Sequence, residues 1–299
     1  MGEIKTMARV NLFVVGQPKS GTTALYFYLT QHPDISMLNL KEPRVFSADM
    51  LYPIHMTKAK YEKEAATYST KYIGEATADY LFSKEAAGNI KQYNKHAKCI
   101  VILRDPATFI VSYHSQQCRD EQNIKRNVPP LRYLLENPKT SKDPSQNYKE
   151  WINYTDQLKR FFKVIPKEQV LIIFQKNLLD HQQRTLDKIW GFLSVNKIKL
   201  APIKSNISGV YRNEFLKKIH KISNCFPINR VKKYVRTFTP PKHLVKLKNT
   251  YRSIILKSNV IKSPDWVKDI CSNEVKRLST FLRKDLLTFW DYKNITQKK

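Results

Sequence analysis

Apolar residues first cluster near the start of the chain, where their spacing changes from that of a strand to that of a helix. Val10 and residues 12–15 form a run rich in β-branched side chains, typical of a buried strand, and the run stops at Gly16. A second glycine, Gly21, follows five residues later, and from Thr22 apolar side chains recur at helical spacing. The pattern predicts a buried strand, a short loop bounded by two glycines, and a helix.

The same alternation continues along the chain. Apolar runs predict further strands at residues 35–38, 72–76, 99–103 and 170–174. The last two runs, CIVIL and VLIIF, are apolar throughout, as central parallel strands are. Helical spacing predicts helices over residues 83–93, from 106 onward, and over 148–162, 183–193 and 266–290. We therefore predict an α/β fold with three layers, α/β/α, around a central parallel sheet.

Length and composition favour one domain. A chain of 299 residues that is 41% hydrophobic can bury a substantial core. We expect a single domain over residues 1–299, with a core at about 8–212 and a Lys-rich, mainly helical C-terminal part at about 213–299.

The net charge is +28, and most of the excess lies after residue 196. Such a charge favours anionic partners, which include nucleic acid, acidic glycans, anionic lipid surfaces and nucleotide cofactors. A basic nucleic-acid-binding module is therefore one hypothesis. The sequence has no zinc-finger spacing, no RNP-like motif and no interleaving of basic and aromatic residues to support it.

The four cysteines have no CxxC spacing, so no metal site is expected. Cys225 and Cys271 would pair only in an oxidising compartment, and the sequence does not show which compartment the protein occupies.

The chain shows no signal peptide and no stretch of about 20 apolar residues that would span a membrane. We expect a cytoplasmic protein without a membrane span.

The loop from Gly16 to Gly21 is a candidate anion site. Its amides and the start of the following helix present N–H donors and the positive end of a helix dipole. A Walker A loop has the same G-x-x-x-x-G spacing but continues with Lys and Ser or Thr, whereas this chain continues with Thr22 and Thr23. A P-loop kinase with Asp105 as magnesium ligand is therefore a weaker hypothesis. The cation available to a phosphate is Lys19, inside the loop.

A second anion-binding element follows the strand at 99–103. Arg104 lies at the carboxyl end of this strand, where open α/β sheets bind ligands, and a guanidinium there suits a second phosphate. Ser112 comes eight residues later, about two helical turns into the next helix. Its hydroxyl is placed to donate to the same group.

Together these two elements resemble those of sulfotransferases that use 3′-phosphoadenosine 5′-phosphosulfate (PAPS). Residues 18–23 read PKSGTT, a complete match to the phosphosulfate-binding loop, and residues 103–106 read LRDP with a serine eight residues after the arginine. The resemblance implies sulfuryl transfer from PAPS to a hydroxyl or amine, without a metal. It assigns the 5′-phosphate to Lys19, Ser20, Gly21, Thr22 and Thr23. It assigns the 3′-phosphate to Arg104 and Ser112.

Residues 41–46 read KEPRVF and resemble the KEPHFF segment of glycan sulfotransferases. That resemblance makes Glu42 the base that accepts the proton of the acceptor. Residues 74–80 resemble a segment with a catalytic lysine, but here Ala76 stands in its place, so Lys41 or Lys19 would supply the charge. Because cations flank Glu42, we expect a lowered pKa.

A late segment, residues 205–212, loosely resembles the loop that closes over the nucleotide in the same family. The resemblance places backbone groups near Gly209 and a basic side chain, Arg212, close to the 3′-phosphate. The chain shows no equivalent of the catalytic histidine of small-molecule sulfotransferases, which favours a carbohydrate acceptor. The identity of the acceptor, the position sulfated and the oligomeric state are left open.

Overall fold

The computed structural model describes residues 8–50, 55–124, 127–137, 143–203, 209–211, 256–258 and 262–292. Backbone contacts divide the chain into two compact units. One unit comprises residues 1–200 and 261–299, and the other comprises residues 201–260. The prediction of a single domain stays a prediction.

A five-stranded sheet forms the centre of the first unit. Its strands are β1 (Leu12–Gly16), β2 (Ile35–Met37), β3 (Tyr72–Ala76), β4 (Lys98–Leu103) and β5 (Val170–Phe174). All neighbouring strands pair in parallel, in the order β2-β3-β1-β4-β5. Phe13 at the centre pairs with Glu75 on one side and Cys99 on the other. This confirms the predicted α/β fold with a central parallel sheet.

Helices connect the strands and cover the sheet. In the described residues they are α1 (Thr22–Leu29), α2 (Lys58–Ala65), α3 (Ala86–Tyr93), α4 (Pro106–Ile124), α5 (Leu131–Glu136), α6 (Tyr148–Ile152), α7 (Tyr154–Phe162), α8 (Gln175–Asp180), α9 (Gln182–Leu193), α10 (Asp265–Leu282) and α11 (Leu286–Phe289). Two short 3₁₀ helices lie at Pro144–Gln146 and Lys167–Gln169. No helix among these residues is long and apolar enough to cross a membrane.

Two helices expected to be continuous are interrupted. The helix predicted over 148–162 breaks at Asn153, whose side-chain oxygen accepts a hydrogen bond from the amide of Asp156 and so caps α7. The helix predicted over 266–290 ends at Leu282, where Arg283 takes a left-handed conformation with φ of 51°. A capping side chain overrides the apolar spacing at the first break, and a single left-handed residue overrides it at the second.

The start of α3 also differs from the expectation. The helix begins at Ala86 rather than at Ser83. The hydroxyl of Ser83 nevertheless accepts hydrogen bonds from the amides of Glu85 (3.2 Å) and Ala86 (3.0 Å). The prediction that Ser83 caps the helix agrees with these contacts, whereas the turn between Ser83 and Ala86 was not predicted.

The second unit contains a small antiparallel pair of strands. These are β6 (Gly209–Tyr211) and β7 (Leu256–Ser258). Within residues 213–299, predicted to be mainly helical, lie the short strand β7 and the helices α10 and α11. The helical character of this part stays a prediction. Residues 212–255 lie outside the described structure.

Candidate active site

The loop between β1 and α1 needs glycine at both ends. A Cβ atom at Gly16 would lie 2.7 Å from the Cβ of Leu81, a distance that folded proteins do not tolerate. Gly21 directly precedes α1 with φ of 95°, a conformation that favours glycine. Because Gly21 carries no side chain that could cap the helix, the first amide N–H groups of α1 are left for an anion.

Hydrogen bonds from two neighbouring strand ends hold this loop in place. The amide of Gln17 donates to the carbonyl of Ile102 on β4 at 2.6 Å. The carbonyl of Lys19 accepts from Nη1 of Arg104 at 3.1 Å and from Nε2 of Gln175 at 3.3 Å. The loop and the ends of β4 and β5 therefore meet at the carboxyl edge of the sheet, where α/β proteins bind ligands.

A buried amide pair supports the loop from the side of α7. Gln17 is fully buried, and its Nε2 donates to Oε1 of Gln157. Gln157 in turn donates to the carbonyl of Glu150 at 2.6 Å. Through these contacts α6 and α7 fix the first residue of the loop, so its shape does not depend on β1 and α1 alone.

Arg104 is a half-buried cation. Its Nε donates to Oγ1 of Thr108 at 3.0 Å, and no carboxylate in the described part of the chain lies at ion-pair distance from the guanidinium. Burial lowers the pKa of Arg104, while Tyr154 and Asp105 act in the opposite direction. A guanidinium nevertheless stays charged in proteins. A partly buried charge without an ionic partner favours an anionic ligand.

Two buried hydroxyls in this region lack a hydrogen-bond partner. Ser112 on α4 is 1% exposed, and neither its Oγ nor the hydroxyl of Tyr154 contacts an acceptor or donor among the residues described. Leaving such groups unsatisfied costs about 1–3 kcal/mol each. Tyr154 lies close enough to Arg104 to affect the pKa of its guanidinium, and hydroxyl donors of this kind fit a phosphate whose oxygens would accept their hydrogen bonds.

The segment after β2 carries Glu42, which is hydrogen-bonded to the backbone at the end of β3. The amide of Glu42 donates to the carbonyl of Ala76 at 2.9 Å, and Oε2 of Glu42 accepts from the amide of Ala78 at 3.1 Å. Its Oε1 accepts a hydrogen bond from the ammonium group of Lys41. Glu42 and Arg44 both have positive φ values, 64° and 57°, which are uncommon for residues with side chains. Such local strain is found most often at functional sites.

The charge state of Glu42 follows from opposing effects. Burial raises the pKa of this carboxyl, but Lys41, the amide of Ala78 and Arg44 outweigh it, so the net shift is downward. The side chain is 24% exposed. Glu42 is therefore ionised at neutral pH and reachable from solvent, as a base that accepts a proton must be.

Two further carboxyls lie deeper in the same region. Glu75 is 1% exposed, and burial raises its pKa to about 8. Asp79 pairs with Nε of Arg44 at 2.9 Å, and burial raises its pKa to about 6. Ala76, between them in sequence, is fully buried. The outermost of these carboxyls is thus Glu42, and the inner two are shielded from a substrate.

Comparison with known proteins decides the family. The family profile described as "Sulfotransferase domain" matches residues 9–255. The chain belongs to the sulfotransferase family.

Curated sulfotransferases are similar to parts of the chain. A membrane-associated sulfotransferase kil1 from Dictyostelium discoideum is 36% identical over 136 residues, which cover 45% of this chain and 28% of that protein. The human bifunctional heparan sulfate N-deacetylase/N-sulfotransferase 3 is 26% identical over 205 residues, which cover 64% of this chain and 23% of that protein. The human heparan sulfate glucosamine 3-O-sulfotransferase 3B1 is 25% identical over 195 residues, 62% of this chain and 46% of that protein. The chain spans less than half the length of these three relatives.

Among solved structures, a sulfotransferase from Alicyclobacillus acidocaldarius has a similar fold. The TM-score is 0.64 with 20% sequence identity, and the match covers 95% of this chain and 99% of that one. Likeness at this identity speaks for the fold alone.

The structure of this sulfotransferase domain brings together the two predicted cofactor elements through the contact between Lys19 and Arg104. It also pairs Lys41 with Glu42. Gly209 lies in β6, in the second unit, and Arg212 lies outside the described residues. The roles assigned to all these residues stay predictions.

Several residues of the site were not predicted. Gln17 lies within the predicted loop, but the pairing of its side chain was not predicted. The others reach the site from other elements: Thr108, Tyr154, Gln157 and Gln175. Gln175 had a usable signal, because it is the first residue after the apolar run of β5 and therefore lies at the carboxyl edge of the sheet. The others depend on how α4 and α7 pack, which local patterns do not reveal.

The raised pKa of Glu75 has a measurable effect on stability. Between about pH 4.5, where the unfolded carboxyl titrates, and about pH 8, the folded protein binds the extra proton. Wild-type stability should therefore fall as pH rises through this window, by up to about 1.4 kcal/mol per pH unit. Glu75→Gln should flatten the decline, as measured by urea unfolding at about pH 6, 7 and 8.

Exposed Glu168 provides the control for this measurement, and Glu168→Gln should leave the wild-type decline unchanged. The window from about pH 6 to about pH 8 separates Glu75 from Asp79, whose pKa is about 6. An equal decline in wild type and Glu75→Gln would show that Glu75 is ionised in the folded protein at neutral pH.

Proposed function

We propose that this domain transfers the sulfuryl group of PAPS to a hydroxyl or amine of a carbohydrate. The observation that carries the proposal is the junction at the carboxyl edge of the sheet. There the carbonyl of Lys19, in the loop after β1, accepts a hydrogen bond from Arg104, which follows β4. The loop and the arginine thus meet at the sheet edge, next to the N-terminus of α1, an arrangement that suits a nucleotide with two separate phosphates.

When bound, PAPS would supply the sulfuryl group and leave as adenosine 3′,5′-bisphosphate. Lys19 and the amides of Gly21, Thr22 and Thr23 would stabilise the negative charge that develops on the departing 5′-phosphate. Arg104 and Ser112 would hold the 3′-phosphate through charge-assisted and neutral hydrogen bonds.

On the acceptor side, Glu42 would take the proton of the acceptor hydroxyl as its oxygen bonds to sulfur. Lys41 keeps the Glu42 carboxylate ionised and in place, and it adds a positive charge where the family's lysine is replaced by Ala76. Relatives named as heparan sulfate sulfotransferases support a glycan acceptor. The net charge of +28 suits an acidic one.

The donor assignment is tested by ligand-induced stabilisation. Adenosine 3′,5′-bisphosphate at about 100 times its Kd should stabilise the folded protein by about 2.7 kcal/mol and raise Tm by roughly 4 °C. ATP with magnesium should raise Tm far less, because it lacks the 3′-phosphate. Arg104→Ala should weaken binding of the bisphosphate by about 2–5 kcal/mol, as measured by titration calorimetry.

Arg132 provides the matched control, because it is an exposed arginine that pairs with Glu136 within one helix. Arg132→Ala should bind the bisphosphate as wild type does. Equal stabilisation by ATP that requires magnesium would favour a kinase instead. Unchanged affinity in Arg104→Ala would overturn the assignment of the 3′-phosphate.

A further inference from the structure

The last described residues of the chain contact the second cofactor element. After α11 the backbone turns at Asp291, and the amide of Tyr292 donates to the carbonyl of Leu287 at 2.7 Å. Tyr292 is fully buried, and its hydroxyl donates to Oδ1 of Asp105 at 2.6 Å. A residue 187 positions further along the chain thus contacts the immediate neighbour of Arg104.

Asp105 connects this contact to the start of α4. Its Oδ1 also accepts from the amide of Ala107 at 3.3 Å, and its Oδ2 accepts from the amide of Thr108 at 3.0 Å. Thr108 then accepts, through Oγ1, the hydrogen bond from Nε of Arg104 at 3.0 Å. The chain of contacts therefore runs from Tyr292 through Asp105 and Thr108 to the guanidinium.

Asp105 is also the nearest acidic residue in sequence to Arg104, which has no ionic partner among the described residues. A carboxyl group that lost its tyrosine partner would keep only the long contact from Ala107 on Oδ1. Oδ2 would stay on the amide of Thr108, whereas Oδ1 would become available to the adjacent guanidinium, with which it can form a charge-assisted pair. Such a pair would neutralise the cation.

We propose that Tyr292 is a positioning residue for the cofactor: it holds Asp105 at the start of α4 and so keeps the Arg104 guanidinium available for a 3′-phosphate. The proposal rests on the proposed function for the identity of the ligand. The contacts from Tyr292 to Arg104 are independent of that function.

The test compares two nucleotides that differ in the 3′-phosphate, adenosine 3′,5′-bisphosphate and adenosine 5′-monophosphate, by titration calorimetry. Wild type should prefer the bisphosphate. Tyr292→Phe should reduce this preference about tenfold, the size of one hydrogen bond, with little change in affinity for the monophosphate. A purely structural role would lower Tm and leave the ratio of the two affinities unchanged.

Tyr72→Phe is the matched control, because the Tyr72 hydroxyl also makes a buried hydrogen bond, to the carbonyl of Leu193 at 2.9 Å, but at the start of β3, the end of the strand away from the site. It should lose comparable stability and keep the wild-type preference. An unchanged preference in Tyr292→Phe would overturn the proposal.

A wild type that does not distinguish the two nucleotides would refute the proposed donor instead. Amide hydrogen exchange separates the two failures. Tyr292→Phe should speed exchange at Ala107 and Thr108 whatever ligand the domain binds, because their amides depend on Asp105. Unchanged exchange there would also contradict the positioning role.

Discussion

Glu42→Gln should reduce turnover by about 10²–10⁴-fold while leaving the affinity for adenosine 3′,5′-bisphosphate unchanged, because a positioned general base contributes that much. Glutamine keeps the size of the side chain and an oxygen that can accept from the amide of Ala78. It cannot take a proton from the acceptor. The measurement is the initial rate of transfer from labelled PAPS to an acidic glycan.

The pH dependence of the rate gives a second readout. The base acts when it is deprotonated, so the wild-type rate should rise with pH through the pKa of Glu42. Burial raises this pKa, but Lys41, the amide of Ala78 and Arg44 lower it further, to below its ordinary value of 4.5. The rise should therefore be complete in mildly acidic solution, and Glu42→Gln should lose it.

Glu75→Gln is the comparison variant, because Glu75 is the neighbouring carboxyl on β3 but is shielded from substrate. It should retain most of the activity. Near-normal turnover in Glu42→Gln, or loss of turnover in Glu75→Gln, would contradict the assignment of the base.

Lys19→Ala should reduce turnover by about 10²–10³-fold, the cost of removing one preorganised group that stabilises developing charge. The backbone of Lys19 is held by Arg104 and Gln175, so the substitution removes the ammonium group and leaves the carbonyl contacts in place. Because the charge on the 5′-phosphate increases as sulfuryl leaves, kcat should fall more than the affinity for PAPS.

Lys176→Ala controls for the loss of a nearby positive charge. Lys176 lies on α8 beside Gln175, is exposed, and pairs with Asp180 within the helix. Its replacement should leave kcat unchanged. A fall in PAPS affinity with unchanged kcat in Lys19→Ala would limit Lys19 to binding.

The parallel strands could be predicted because each is a nearly uninterrupted apolar run, and burial on both faces of a central sheet imposes that pattern. Ends and interruptions of helices could not, because they depend on single side chains such as Asn153 and on the left-handed conformation of Arg283. Neither changes the apolar spacing.

The candidate site divides in the same way. Gly16, Lys19 and Arg104 lie in continuous motifs at strand ends, where chain order alone brings them to one edge. Tyr292 and Gln157 reach the site through packing of distant segments, so no local pattern marks them. The burial of Glu75 could not be predicted from the sequence either, because it depends on the tertiary packing around β3.

The proposed donor and acceptor halves of the site follow strands that differ in the number of neighbouring strands. The proposed donor elements follow β1 and β4, which have neighbours on both sides, whereas Glu42, the proposed base, follows β2, a strand with a neighbour on one side only. Substitutions at an outer strand disturb fewer pairings than those at the centre. Substitutions in the proposed acceptor half should therefore cost the sheet less than substitutions in the proposed donor half.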